Sequence, residues 1–217
     1  MQILIGTTNP AKAERYRQML SDYDVTFLTL KQLSVDSEPE ETGRTPAENA
    51  VIKARHYGQF WDAVICADSG LYFPEALPMA HPLQPGLRAR TPHGADHRLD
   101  DEEMIAHYAA LARRLGAPVL ACWSEGQATY NRGEVRTFQD SIEVMRASGF
   151  YLTDRPTPLR RKGYPLDSLS LRPQTMTYYL EEGAYRVDAS AQVNPVIREY
   201  REALKRFFVE AFDLKKR

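Results

Sequence analysis

Three groups of polar residues could together carry out chemistry on a phosphate chain. They are Thr7-Thr8-Asn9-Pro10-Ala11-Lys12, the stretch from Glu40 to Lys53, and Ala67-Asp68-Ser69-Gly70-Leu71. They supply lysines, carboxylates, hydroxyls and backbone N–H groups. A site that holds a polyphosphate through a divalent metal ion needs this set of groups.

The first group predicts an anion site at the start of a helix. Asn9 is a favourable N-cap and Pro10 a favourable first helical residue. The free N–H groups and the dipole of such a helix attract anions, and Lys12 in its first turn could reach a phosphate. The alternative is that Asn9 serves only as a cap and that Lys12 is a solvated lysine.

The second group places carboxylates ahead of a capped helix. Glu40 and Glu41 precede Thr45-Pro46-Ala47-Glu48, which is a capping box with proline at the first helical position. Carboxylates are the usual protein ligands of a magnesium ion that also binds phosphate oxygens. The alternative is that they only complement the helix dipole. Lys53 follows within this helix and shares a face with Asn49, four residues earlier.

The third group places a carboxylate at the predicted end of a buried strand. Residues 64–67 are apolar, and Asp68 follows them directly. Ligands of open α/β sheets gather at the carboxyl ends of strands, which makes Asp68 a candidate for metal binding or catalysis. The alternative is a structural Asp-Ser-Gly turn.

The elements that must position these groups follow from periodicity and turn residues. The order β-α-β-α-β over the first 67 residues predicts an α/β sheet with helices packed against it. A hairpin with its turn at residues 131–133 is predicted later in the chain. The predicted strands are residues 2–6, 25–30, 64–67, 118–130 and 134–145. The predicted helices are 10–21, 46 to about 60 or 61, 101–115, 175–182 and 195–212.

Bulk properties restrict the class of protein. The chain has 217 residues, 43% of them hydrophobic and 26% charged, which is ordinary for a soluble globular protein. A formal net charge of −1 argues against nucleic acid as a standing partner. No apolar run is long enough for a membrane span, and the first residues lack the pattern of a signal peptide. A cytoplasmic location without membrane association is the expectation.

The three groups resemble the motifs of the Ham1/inosine triphosphate pyrophosphatase family. Thr7, Asn9 and Lys12 match its Thr-x-Asn-x-x-Lys motif. The segment from Glu41 to Ala54 matches its long Glu-Thr-Gly-x-Thr-x-x-Glu-Asn-Ala-x-x-Lys-Ala motif, and Asp68–Leu71 matches the end of its Asp-Asp-Ser-Gly-Leu motif. Order and spacing agree over roughly the first 90 residues, which include a later Pro-Gly and Ala-Arg pair at Pro85, Gly86, Ala89 and Arg90.

The resemblance implies a fold and an activity. The implied fold is α/β, with an elongated mixed sheet, flanking helices and two lobes around a central cleft, and residues 1–217 would form one such domain. The implied enzyme hydrolyses a nucleoside triphosphate such as ITP or XTP to the monophosphate and pyrophosphate. It would use Mg²⁺ and act as a homodimer.

The resemblance also implies roles for individual residues. Asp68 and Lys12 would be catalytic, and Glu41 and Asp68 would hold the metal ion. The substrate-binding residues would be Thr7, Thr8, Asn9, Lys12, Lys53, Ser69, Gly70, Arg90, Tyr164 and Asp167.

The chain departs from the family pattern in ways that bear on its activity and specificity. Ala67 replaces the first of two aspartates before Ser-Gly. The base-pocket motif Gly-Phe-Gly-Tyr-Asp-Pro has its nearest counterpart at residues 163–167, where Tyr164 is available to stack on a base. Two alternatives therefore stay open. The protein could bind a nucleotide without cleaving it, or it could be a pyrophosphatase for a different nucleotide.

Overall fold

A computed structural model describes residues 1–180 and 194–217. Two compact units make up the chain. Unit 1 consists of Met1–Ser69, Ser124–Ser141 and Arg198–Arg217, and unit 2 of Gly70–Trp123 and Ile142–Ile197. Within the described residues, no helix combines the length and the apolar character that a membrane crossing requires.

The strands and helices follow the predicted order closely in the first third of the chain. In chain order they are β1 (Gln2–Ile5), α1 (Pro10–Met19), β2 (Thr26–Thr29), α2 (Pro46–Tyr57), β3 (Ala63–Tyr72), α3 (Asp101–Arg114), β4 (Val119–Asn131), β5 (Glu134–Gln139), α4 (Ile142–Ala147), β6 (Phe150–Leu152), β7 (Ser170–Leu171) and α5 (Pro195–Phe212). Short 3₁₀ turns cover Leu30–Leu33 and Pro165–Ser168.

Unit 1 contains the parallel part of the sheet. Strand β1 pairs in parallel with β2 on one side and with β3 on the other. The second half of β4 forms an antiparallel hairpin with β5, in a register that runs from Gly126 opposite Gln139 to Asn131 opposite Glu134. The predicted mixed α/β fold is therefore confirmed.

Both faces of β1 are buried, which explains its continuous apolar sequence. Ile3 and Ile5 belong to a core that includes Tyr16 of α1 and Phe208 of α5. Leu4 points the other way, into a second core with the residues of α2. Because successive side chains of a strand alternate between faces, one short strand anchors helices on both sides of the sheet.

Unit 2 has its own core and an antiparallel sheet. Strand β6 pairs with the first residues of β4 and with β7. Helix α3 buries Tyr108 and Leu111 in a core that includes Phe73, the residue after β3, and Leu152 of β6. The predicted start of α3 is confirmed, because Asp100 and Glu103 form a reciprocal capping box there.

Strand β3 is longer than predicted. It does not end at Ala67 but continues through Asp68 to Tyr72. The backbone stays extended because Leu71 exchanges two hydrogen bonds with Gly86, at 2.9 and 2.8 Å, and this partner lies 15 positions later in the sequence. Asp68 is therefore a strand residue, and the alternative of an Asp-Ser-Gly turn is wrong.

Two further predicted elements differ in the structure. The strand predicted for residues 134–145 ends at Gln139, and α4 follows, because the Asp140 side chain accepts hydrogen bonds from β4 and ends the strand pairing. Residues 175–180 of the helix predicted at 175–182 form turns and a bridge between Tyr178 and Leu171. Residues 181 and 182 lie outside the described residues.

The close approach of β4 to α2 gives a stability prediction. A Cβ atom at Gly126 would lie 2.1 Å from the Ala47 nitrogen and 2.4 Å from the Pro46 carbonyl carbon. Because these are backbone atoms, we expect Gly126→Ala to lower the free energy of unfolding by about 3 kcal/mol, as overpacking does. Urea denaturation measures this. Ala47→Gly, at the same contact, adds no atom and should cost only about 1 kcal/mol; equal losses would contradict the steric explanation.

Candidate active site in unit 1

Asp68 is the centre of a group of polar side chains in unit 1. Strand β3 holds it largely buried, at 9% exposure. Its Oδ2 accepts a hydrogen bond from Asn49 Nδ2 at 2.9 Å, and its Oδ1 contacts Lys53 Nζ at 3.0 Å. Both partners come from α2, which presents them four residues apart on one face, as the sequence spacing predicts.

Lys53 joins two carboxylates. Its Nζ lies 3.0 Å from Asp68 Oδ1 and 2.8 Å from Glu41 Oε1. Burial alone would lower the pKa of Lys53, but the two carboxylates outweigh it and raise that pKa above its usual value. Lys53 therefore carries a fixed positive charge, and both candidate metal ligands contact it.

Asn49 completes this arrangement, although it was not among the predicted site residues. Its side chain is 2% exposed, and its Oδ1 accepts a hydrogen bond from the Gly43 N–H at 2.8 Å. A Cβ atom at Gly43 would lie 2.5 Å from that oxygen, so only glycine fits the approach. Its spacing from Lys53 was the available signal. Asn49 thus links the loop that carries Glu41 to the Asp68 carboxylate.

Hydrogen bonds between neighbouring residues determine where α2 begins. Thr45 caps the helix, because its Oγ1 accepts from the Glu48 N–H at 3.2 Å. The capping box is only half formed, since the Glu48 carboxylate accepts from the Arg44 N–H at 2.6 Å instead of from Thr45. Pro46 takes the first helical position as predicted.

Lys12 lies in the first turn of α1. The cap predicted at Asn9 is confirmed, because Asn9 Oδ1 accepts from the Lys12 N–H at 3.4 Å. Thr7 Oγ1 in turn accepts from the Asn9 N–H at 3.1 Å, and Thr8 is exposed. Burial lowers the pKa of Lys12 below its usual value. A partly buried ammonium group at a helix N-terminus is suited to an anionic ligand.

A second polar group in unit 1 joins α1 to β4 and was missed by the sequence interpretation. Arg15 Nη1 contacts both oxygens of Glu125, at 2.9 and 2.7 Å. The Glu125 N–H donates to Asp140 Oδ2 at 2.7 Å, and the Ser124 hydroxyl donates to Asp140 Oδ1 at 2.8 Å. Burial raises the pKa of Asp140. No sequence signal paired Arg15 with Glu125, because 110 positions separate them.

The remaining predicted site residues are Ser69, which ends the first segment of unit 1, and four residues of unit 2. Ser69 follows Asp68 in β3 and is half-buried, and Gly70 is buried as the first residue of unit 2. Arg90 Nη2 pairs with Asp101 Oδ1 at 3.0 Å, and Arg90 Nη1 donates to the Leu99 carbonyl oxygen at 3.3 Å. Arg90 therefore braces the start of α3 within unit 2.

Tyr164 and Asp167 of unit 2 share one arginine. The Arg161 guanidinium carbon lies 4.0 Å from the centre of the Tyr164 ring, and Arg161 Nη1 lies 3.2 Å from Asp167 Oδ2. Burial raises the pKa of Asp167, although the pairing with Arg161 opposes this shift. The structure thus brings the two predicted base-contacting residues together around a guanidinium group.

The donor set can be tested against a divalent metal ion. Glu41 and Asp68 are brought into one group through Lys53. Among residues 1–180 and 194–217, no group of three or more His, Cys, Asp or Glu side chains could hold a metal ion. Two carboxylates fit Mg²⁺ that binds together with a substrate, because that ion usually takes one or two carboxylates, several waters and phosphate oxygens.

Comparison with known proteins gives sequence relatives for part of the chain. A dITP/XTP pyrophosphatase of Thermoanaerobacter pseudethanolicus is 38% identical over 77 residues, which is 36% of this chain and 39% of that protein. A dITP/XTP pyrophosphatase of Yersinia pseudotuberculosis is 34% identical over 110 residues, which is 51% of this chain and 53% of that protein. The chain thus spans about half or less of the length of these curated relatives.

Solved structures resemble the fold over nearly the whole chain. The Ham1 protein of Staphylococcus aureus has a TM-score of 0.65 at 19% identity and covers 97% of this chain and 100% of its own. A HAM1 protein of Coxiella burnetii has a TM-score of 0.67 at 20% identity, with 97% and 99% covered. The sequence profile of the Ham1 family matches residues 3–122, which is more than half of the sequence. The chain belongs to the Ham1 family.

Proposed function

We propose that this protein hydrolyses a nucleoside triphosphate to the monophosphate and pyrophosphate, with Mg²⁺ as cofactor. Relatives over part of its length bear the name dITP/XTP pyrophosphatase, which makes ITP, dITP and XTP the first candidate substrates. A homodimer and a cytoplasmic location stay predictions from the sequence.

The observation that carries this proposal is the set of contacts around Asp68. One buried carboxylate is held by an amide at 2.9 Å and by an ammonium group at 3.0 Å, and Glu41 contacts the same ammonium group at 2.8 Å. Phosphoryl transfer requires charge neutralisation and the placement of a water molecule more than it requires a covalent nucleophile. A fixed carboxylate beside a fixed cation supplies groups for both requirements.

Each residue has a role in the proposed reaction. Lys12 and Lys53, with the N–H groups at the start of α1, would bind the triphosphate oxygens. Asp68 would accept a proton from the attacking water while the oxygen of that water bonds to the α-phosphorus. The bond from that phosphorus to the bridging oxygen then breaks, and pyrophosphate leaves with the bridging oxygen. Mg²⁺, held by Glu41 and Asp68, would neutralise charge on the phosphate oxygens.

One observation favours a second candidate, namely nucleotide binding without hydrolysis. Position 67 is a buried alanine, so it offers no carboxylate beside Asp68. Glu41 and Asp68 also both contact Lys53, which would compete with a metal ion for their oxygens. A third candidate keeps the reaction but changes the base, because the segment at residues 163–167 departs from the family motif.

A substrate panel tests all three candidates. We expect pyrophosphate release from ITP, dITP or XTP that requires Mg²⁺ and falls to background when the ion is removed with EDTA. Orthophosphate is measured in parallel, because cleavage at the γ-phosphorus would release it instead. ATP, GTP, CTP and UTP complete the panel at the same concentrations.

Each outcome of the panel selects one candidate. Metal-dependent release from another nucleotide would keep the reaction and replace the substrate. Thermal stabilisation by a nucleotide without any release would identify a binding protein, since a ligand that binds only the folded state raises its stability. Release that persists in EDTA would contradict the role given to the metal ion.

A further inference from the structure

Lys12 combines two properties, because its side chain is partly buried and yet forms no direct ion pair. Lys53, Arg15 and Lys205 of unit 1 each contact a carboxylate at 3.1 Å or less. Within the described parts of the chain, no salt bridge or hydrogen bond involves Lys12 Nζ. All three of its N–H groups therefore remain available to a ligand.

Glu125 is the carboxylate with the strongest electrostatic influence on Lys12, but its oxygens contact Arg15 instead. Arg15 lies three residues after Lys12 on α1, and its Nη1 contacts both Glu125 oxygens. The Glu125 backbone is fixed as well, because its N–H donates to Asp140 at 2.7 Å and its carbonyl oxygen accepts from Gln139 at 3.0 Å. Glu125 is thus held on the same face of α1 as Lys12 without contacting it.

We propose that Glu125 is a positioning residue for Lys12. Its carboxylate supplies the negative charge that keeps the Lys12 ammonium group protonated, while Arg15 holds that carboxylate away from Nζ. The ammonium group is therefore charged and unpaired. In this state it can donate its N–H groups to phosphate oxygens. The consequence for catalysis rests on the proposed function, whereas the electrostatic relation between the two residues does not.

The charges around Lys12 agree with this assignment. Burial disfavours its charged form, and Glu125 of β4 is the strongest opposing influence on its pKa. Asp68 of β3 also raises that pKa, to a smaller extent. Lys53 of α2 and Arg15 of α1 lower it. Without the Glu125 charge, Asp68 alone of these residues would raise the pKa of Lys12, against the two cations that lower it.

The first test measures the protonation of Lys12 directly. Glu125→Gln keeps the size of the side chain and one oxygen for Arg15 but removes the charge. We expect the pKa of Lys12, followed by NMR of protein with ¹³C-labelled lysine, to fall relative to the unsubstituted protein. Lys12→Arg identifies the Lys12 signal by its loss. An unchanged Lys12 pKa would overturn the proposal, whatever the protein's activity.

The second test measures the consequence for phosphate binding. Inorganic tripolyphosphate is titrated into the protein by calorimetry at pH 7.5 and 9.5. We expect Glu125→Gln to lower its affinity at pH 9.5 by roughly fivefold more than at pH 7.5, because a lost proton removes one cation from the site. Absence of tripolyphosphate binding to the unsubstituted protein would count against the proposed function, and the NMR result would still decide the role of Glu125.

Two controls separate electrostatics from structural damage. Glu134→Gln, in the same hairpin, removes an exposed carboxylate that pairs with Arg136 at 2.7 Å, and it should change neither measurement. In a Lys12→Arg background, Glu125→Gln should no longer produce the pH-dependent loss, because a guanidinium group stays charged. A loss of the same size in that background would show that Glu125 acts only through the fold, and this would overturn the proposal.

Discussion

Replacement of Asp68 by asparagine is expected to lower the rate of pyrophosphate release by about 10²–10⁴-fold, the range for loss of a general acid or base. The substitution preserves the size of the side chain and an oxygen that can accept a hydrogen bond from Asn49 or Lys53. It removes the charge that would bind the metal ion or accept the proton from water. The measurement is kcat for the best substrate of the panel at saturating Mg²⁺.

The fold of this variant should survive, because Lys53 retains Glu41 as a partner. Loss of one charge-assisted hydrogen bond should lower the free energy of unfolding by about 1–3 kcal/mol, which urea denaturation measures. Asp36→Asn, which changes an exposed aspartate, serves as the matched control and should leave kcat unchanged. Near-normal turnover of Asp68→Asn would remove Asp68 from the mechanism.

Replacement of Lys12 by alanine should cost roughly 10²–10³-fold in kcat/KM, as the loss of one donor to a developing charge does in other enzymes. The side chain belongs to the first turn of α1, where helix N–H groups also attract phosphate. Because Lys12 forms no ion pair with another described residue, its removal leaves no buried carboxylate without a partner. Thermal stability should therefore change little while activity falls.

The control for Lys12→Ala is another lysine in unit 1. Lys31 lies exposed in the 3₁₀ turn at Leu30–Leu33, and Lys31→Ala should retain full activity. Tripolyphosphate calorimetry separates binding from chemistry, and Lys12→Ala should weaken that binding. Equal kcat/KM for Lys12→Ala and Lys31→Ala would mean that Lys12 is only a solvated lysine, the alternative that its sequence context left open.

Short-range features were predictable from the sequence because neighbouring residues determine them. The caps at Asn9, Thr45 and Asp100 are formed as expected, since the capping side chain and the N–H it binds lie within three residues. The last helix covers the predicted residues 195–212 because its apolar stripe repeats with helical spacing. The placement of Lys53 and Asn49 on one face of α2, from which both contact Asp68, followed from the same periodicity.

Features that depend on distant partners were not predictable in this way. Strand β3 continues past Asp68 because Leu71 pairs with Gly86. The sequence of residues 64–72 does not indicate that Gly86 is the partner. The end of β5 depends on the hydrogen bonds of Asp140 to β4. The propensities of neighbouring residues cannot predict such contacts, since these form only when segments distant in the sequence meet.

The sequence by itself determined which residue types are available for phosphate chemistry and the helices and strands on which they stand. Only the tertiary structure decided that Glu41 and Asp68 share Lys53, and that Arg15 holds Glu125 from 110 positions away. The physical reason is that charge and burial depend on distances in space. A lysine with ordinary neighbours in the sequence becomes an unpaired, partly buried cation only when the strands β3 and β4 pack beside its helix.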